Sequence, residues 1–165
     1  MPSSCSTDGL IAAKSTVSYG GSTTLNQVGL LAAIKTRKDV TCYRDLAGEA
    51  MAKGDMAGFA ANVRQGASAD IFLSSVDAIE ASTGALHAVD ASGSRICGWF
   101  SAGQLVIVAG TNKIVENEAE ATDRLEQFQY KLESARCRAA HKVYLSPRAA
   151  VALTLTPLPA AAIEH

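Results

Sequence analysis

The sequence predicts an α/β domain on a mostly parallel sheet, and three observations carry that expectation. Short β-biased runs recur at residues 16–19, 39–43, 70–74, 85–89 and 104–109. Most of them are separated by stretches with helical spacing, and the run 105–109 is apolar at consecutive positions. Strand and helix patterns in alternation are what crossover connections between parallel strands look like in a sequence. A strand that is apolar at every position is expected to be covered on both faces, which predicts a central place for 105–109.

The chain is long enough for one sizeable core, at 165 residues, and 48% hydrophobic with 19% charged residues is a globular balance. Fifteen basic residues face sixteen acidic ones, with no long block of one sign, so nothing draws the chain to nucleic acid or anionic lipid. No apolar run approaches the roughly 20 residues of a bilayer span, so no membrane insertion is expected. The first residues lack a basic and apolar export signal, which reads as cytoplasmic. Cys5, Cys42, Cys97 and Cys137 are scattered without a Cys-x-x-Cys pair. That spacing argues against a zinc site or a disulfide scaffold, and no metal is expected.

Residues 1–14 are expected to form a disordered leader, 15–135 the α/β domain, and 136–165 a divergent, poorly ordered tail. The strand 16–19 runs into Gly20, Gly21, Ser22, Thr23 and Thr24, after which Leu25, Val28 and Leu31 mark a helix. Residues 45–65 carry Leu46, Ala50, Phe59 and Val63 at helical spacing, but Gly54 and Asp55 supply a stop and a new cap, so two short helices are expected. Asn117 with Glu120 predicts a capped helix whose apolar face is Ala121, Leu125, Phe128 and Leu132. Beyond Arg136 the pattern fails. Residues 143–145 could form a short strand, while Pro157 and Pro159 block a continuous helix over 149–163.

The glycine pair and its hydroxyls lie at a predicted strand-to-helix junction, which is the layout of an anion site. Gly20 and Gly21 allow close backbone approach, and Ser22, Thr23 and Thr24 stand beside the unpaired N–H groups of a helix start. The same residues would equally make an ordinary turn with Ser22 or Thr23 as cap. The spacing is neither the dinucleotide fingerprint nor the phosphate loop with its lysine.

Ser74, Ser75, Asp77 and Glu80 fall at and beyond a strand end, where open α/β sheets gather ligand groups. Asp77 or Glu80 could serve as a general base; otherwise Asp77 caps a turn and Glu80 is solvated. Arg95 is the candidate anion clamp, unless it bridges Asp90. Asn112 and Lys113 follow the 104–109 strand and are further ligand candidates, with a snorkelling surface lysine as the alternative. His87 and His141 have no partner at metal spacing, and Trp99 and Phe100 read as core. No nucleophilic triad can be assembled, and Cys97 has no histidine nearby in sequence to activate it.

Three stretches together resemble the lactate-utilisation (LUD) domain family: Gly20-Gly21-Ser22-Thr23-Thr24-Leu25, then Ala69-Asp70 through Asp77-Ala78-Ile79 with Val89-Asp90 and Gly93-Ser94-Arg95, then Gly110-Thr111-Asn112-Lys113-Ile114. The resemblance implies a three-layer sandwich like that of ribose-5-phosphate isomerase, glucosamine-6-phosphate deaminase and coenzyme A transferases, with the first glycine loop on a small anionic ligand. It also implies an accessory role in oxidation of lactate, or a related 2-hydroxy acid, to pyruvate, beside iron–sulfur oxidoreductase partner proteins. The chain shows no cofactor motif of its own. Asp77 stands where the family has asparagine, one extra residue separates Ile79 from Gly84, and Cys137 is alone where many members have a cysteine-rich run. The family's preceding helix and first strand have no counterpart before Ser15, so the domain reads as truncated at its N-terminus. A stand-alone isomerase or acyl-transfer enzyme on a phosphorylated or CoA-linked substrate, and a degenerate non-catalytic relative, are the alternatives.

Overall fold

The computed structural model describes residues 9–90, 94–141 and 151–155. Its strands are β1 (Thr16–Tyr19), β2 (Thr41–Cys42), β3 (Ile71–Ser74), β4 (Ala78–Glu80), β5 (Leu86–Asp90), β6 (Gln104–Ile107), β7 (Ile114–Val115) and β8 (Val151–Leu155). Its helices are α1 (Thr23–Gln27), α2 (Leu30–Thr36), α3 (Tyr43–Ala52), α4 (Met56–Ala67), α5 (Ser94–Ser101), α6 (Glu118–Arg124) and α7 (Tyr130–His141). The chain forms two compact units, Met1–Ser75 with Ser94–Val108 and Val76–Gly93 with Ala109–His165.

The first unit is an α/β layer structure around a parallel sheet of order β2-β1-β3-β6. Alternation along the strands divides its side chains between two helical layers. Val17, Ile71 and Leu73 pack with Leu25 of α1 and with Leu30 and Ile34 of α2. On the other face Ser18 lies against Gly66 of α4, and the Phe72 ring lies under Gly98 of α5. Ile11 is fully buried in the first of these layers, and its carbonyl accepts from Arg37 Nη1 at 2.7 Å. Asp70 ties β3 to β1: its carboxylate accepts from both the backbone N–H and the hydroxyl of Thr16. Those two donors hold the Asp70 carboxyl below the usual carboxylate range.

The break between α3 and α4 falls where the sequence predicts it. Gly54 adopts φ +75° and Asp55 caps α4 by accepting from Gly58 N at 2.8 Å. The expectations for residues 104–109 and for Phe100 are corrected. β6 is the edge of the described sheet, not its centre, and it is only half-buried; β3, buried at all four positions, is central with β1. Consecutive apolar residues report helices over both faces of a strand, which an edge strand also receives. Phe100 is 62% exposed, whereas its neighbour Trp99 is buried.

The second unit holds a mixed sheet of order β7-β4-β5-β8, in which β4 and β5 form an antiparallel hairpin. Ala78 and Val89 pack there with Ala121 and Leu125. Asn117 caps α6 as predicted, accepting from Glu120 N at 3.1 Å, and the Glu120 carboxylate accepts from Glu116 N at 2.9 Å. A π-helical turn, Leu125–Gln129, then joins α6 to α7. The wider turn rotates everything after it, so the inward positions run Ala121, Leu125, Tyr130, Ser134 and Cys137. Phe128 and Leu132, expected on the apolar face, are about half exposed as a consequence. α5, β4, β7 and β8 had no predicted counterpart. The possible strand over 143–145 and the loop glycine Gly93 lie outside the described residues.

Candidate functional site

The glycine loop begins where β1 ends. Gly20 N donates to the Leu73 carbonyl at 3.1 Å, which carries the β1–β3 pairing one residue past the strand and holds the loop at the carboxyl ends of both. A Cβ at Gly20 would stand 3.3 Å from Arg95 Cγ and 3.8 Å from Ser74 Oγ, so the missing side chain is what lets the Arg95 stem lie against the backbone. Gly21 is exposed with open space around it, and Arg95 Nη2 reaches its carbonyl at 3.4 Å. Ser22 takes extended backbone angles and its Oγ accepts from Leu25 N at 3.2 Å, so it caps α1. Thr23 and Thr24 are the first residues of that helix.

Ser74 and Ser75 close the carboxyl end of β3 and are buried; the Ser74 hydroxyl donates to the Ser75 carbonyl at 3.1 Å. Within the first unit the structure therefore gathers Gly20, Gly21, Ser22, Ser74 and Arg95, the last standing in the first turn of α5. A guanidinium is the donor group whose planar fork matches a carboxylate or phosphate.

The remaining candidates belong to the second unit. Asp77 is buried: its Oδ2 accepts from Val89 N at 2.8 Å, its backbone N–H donates to the His87 carbonyl, and its own carbonyl accepts from Arg124 Nε at 2.7 Å. Those bonds join β4 to β5 and to α6. Lys113 sits in the single 3-10 turn Thr111–Lys113, half-buried, with Nζ donating to the Val76 carbonyl at 2.6 Å; Asn112 beside it is exposed.

Glu80 is not solvated. It is 5% exposed, accepts from the Thr83 hydroxyl at 2.8 Å and pairs with His87 Nε2 at 2.5 Å. The Thr83 hydroxyl first, and then His87, hold its carboxyl below the usual range. The register explains the pairing. His87 lies opposite Ala78, so Glu80 is its diagonal neighbour on the same face of the hairpin. Sequence reasoning dismissed His87 for want of a metal partner. The turn around Gly84, with φ +73°, was the signal that residues 80 and 87 would meet. Among the described residues no group of three His, Cys, Asp or Glu could hold a metal ion, and Cys42, Cys97 and Cys137 are free thiols. Burial pushes the Cys42 thiol up to about 11, so it is uncharged at neutral pH.

A sequence model described as the LUD domain matches residues 7–146, most of the chain, and the chain belongs to that family. No match is found among curated proteins.

Proposed function

As a member of the LUD domain family, this chain is, we propose, an accessory component of the oxidation of lactate, or a related 2-hydroxy acid, to pyruvate. The observation that carries the proposal is the seating of Arg95 against the Gly20–Gly21 backbone at the carboxyl ends of β1 and β3, beside the Ser22 cap. Open α/β sheets bind ligands at that edge. Substrate and product here are both small carboxylates, the class of anion a single guanidinium and a few backbone and hydroxyl donors can hold. Gly20, Gly21, Ser22, Thr23, Thr24, Ser75 and Arg95 form the binding rim in this reading.

Oxidation of a 2-hydroxy acid to a 2-oxo acid releases two electrons and two protons. In this proposal iron–sulfur partner proteins accept the electrons, and the chain holds or hands over the carboxylate. Gentle purification of the tagged full chain should recover iron–sulfur proteins, and the recovered assembly should reduce a dye only when lactate or a related 2-hydroxy acid is added. A chain recovered alone, whose presence leaves lactate-dependent dye reduction in a cell extract unchanged, would overturn it.

A further inference from the structure

On the sheet face opposite α1 and α2, the helices α3, α4 and α5 leave a half-open cavity of about 250 Å³. Its wall is apolar: Tyr43 and Ala47 of α3, Val63 and Ala67 of α4, and Phe72 of β3. The Tyr19 hydroxyl, also at this wall, donates to Asp45 Oδ1 at 2.6 Å. Burial first, and then that bond, push its pKa far above the ordinary tyrosine value, so the ring is a neutral surface. The polar lining residues are few: the buried Ser18, Asn62, Arg44 and Arg64.

Both arginines are exposed, and neither forms an ion pair with a carboxylate among the described residues. Among the described residues the one carboxylate bonded to a lining residue, Asp45, accepts from the Tyr19 hydroxyl. A cavity of about 150 Å³ accepts one benzene ring, so this one has room for an aryl ring with a short chain. Lactate and pyruvate would leave most of the apolar wall without contacts.

We propose that this cavity binds a monocarboxylate with an apolar body the size of an aryl ring and two or three carbons, its carboxylate held by Arg44 and Arg64. The apolar body replaces water against Ala47, Val63, Ala67 and Phe72, which supplies affinity, and the guanidinium pair selects the anion over its neutral analogue. Nothing in this inference depends on the glycine loop, and the cavity shares neither Gly21 nor Arg95 with it. Cys97 lines the cavity and is exposed, which makes it a reporter of occupancy.

The test is calorimetric titration of the full chain with 3-phenylpropionate, 3-phenylpropanol and lactate, with site-resolved alkylation of Cys97 alongside. The expected results are saturable binding of 3-phenylpropionate below about 1 mM, with the alcohol and the Arg44→Gln/Arg64→Gln double variant each weaker by about tenfold. Bound 3-phenylpropionate should slow alkylation of Cys97. Ala67→Leu, with Ala47→Leu as a second variant should the first melt early, should remove binding by filling the cavity. Arg95→Gln should leave it unchanged, which separates this site from the anion rim. No binding by the wild type, equal binding of the alcohol, loss of binding in Arg95→Gln, or unprotected Cys97 would each overturn the proposal.

Discussion

Replacing Gly98 by alanine probes the seating of α5, on which Arg95 depends. In a helix interior the change alone gains about 1 kcal/mol, because glycine carries more backbone freedom into the unfolded state. Here a Cβ would stand 2.3–2.4 Å from three atoms of the Phe72 ring, more than 1 Å inside ordinary carbon contact. Phe72 is 3% exposed, so either its ring must be pushed toward the cavity it lines or α5 must lift from β3. Overpacking of this kind costs about 1–3 kcal/mol and offsets the propensity gain, leaving up to about 2 kcal/mol of destabilisation. For a chain of this length that lowers Tm by up to about 6 °C. Gly48→Ala is the control: Gly48 lies in α3, exposed, with nothing within 4 Å of its Cβ position, so only the propensity gain applies and Tm should rise by about 2–3 °C. Calorimetric melts of both variants decide the matter. If Gly98→Ala melts above the wild type as Gly48→Ala does, α5 does not pack on β3 as described, and the placement of Arg95 fails with it.

The helical register beyond α6 is testable in the same way. Leu125→Ala should cost about 2–4 kcal/mol as a large-to-small change at a buried site, while Leu132→Lys should stay within about 0.5 kcal/mol in a urea titration. A costly Leu132→Lys would mean that the π-helical turn is absent. The acid limb of stability should carry the signature of Glu80. Its carboxyl is held below the ordinary value in the folded chain, so the contribution is present above pH 4.5 and is lost as pH falls below that through the folded value. Urea midpoints from pH 6 to 3 should therefore fall less steeply for Glu80→Gln than for the wild type, and parallel curves would contradict the Glu80–Thr83–His87 arrangement.

The elements that sequence patterning made legible are those whose local chemistry decides them alone. β1, β3 and β5 are β-biased runs bounded by turn residues, Asp55 and Asn117 are caps with free N–H groups in reach, and Gly54 takes the positive φ that ends α3. The misreadings occur where tertiary contacts decide. β4 carries a glutamate that reads as solvated until Thr83 and His87 from its own hairpin satisfy it, and Phe128 with Leu132 fits a 3.6-residue period that the π turn interrupts. The strand 104–107 reports covered faces but not its place at the edge, because neighbours in a parallel sheet are set by crossovers rather than by the strand's own residues. At the candidate site, the glycines, the Ser22 cap and Arg95 were legible from residue type and position. The apolar cavity was not, since its lining comes from five separate elements.

The central claim is that the glycine loop with Arg95 holds a small anion, and a ligand-shift melt with pyruvate, lactate and phosphate measures it most directly. Ligand at about 100 times its Kd stabilises the native chain by about 2.7 kcal/mol, which raises Tm by about 8 °C. At least one of the three should produce such a rise. Gly21→Val, whose Cβ position has nothing within 4 Å, should abolish it by blocking backbone approach, and Arg95→Gln should reduce it. No rise with any of the three anions, or an undiminished rise in Gly21→Val, would contradict the claim.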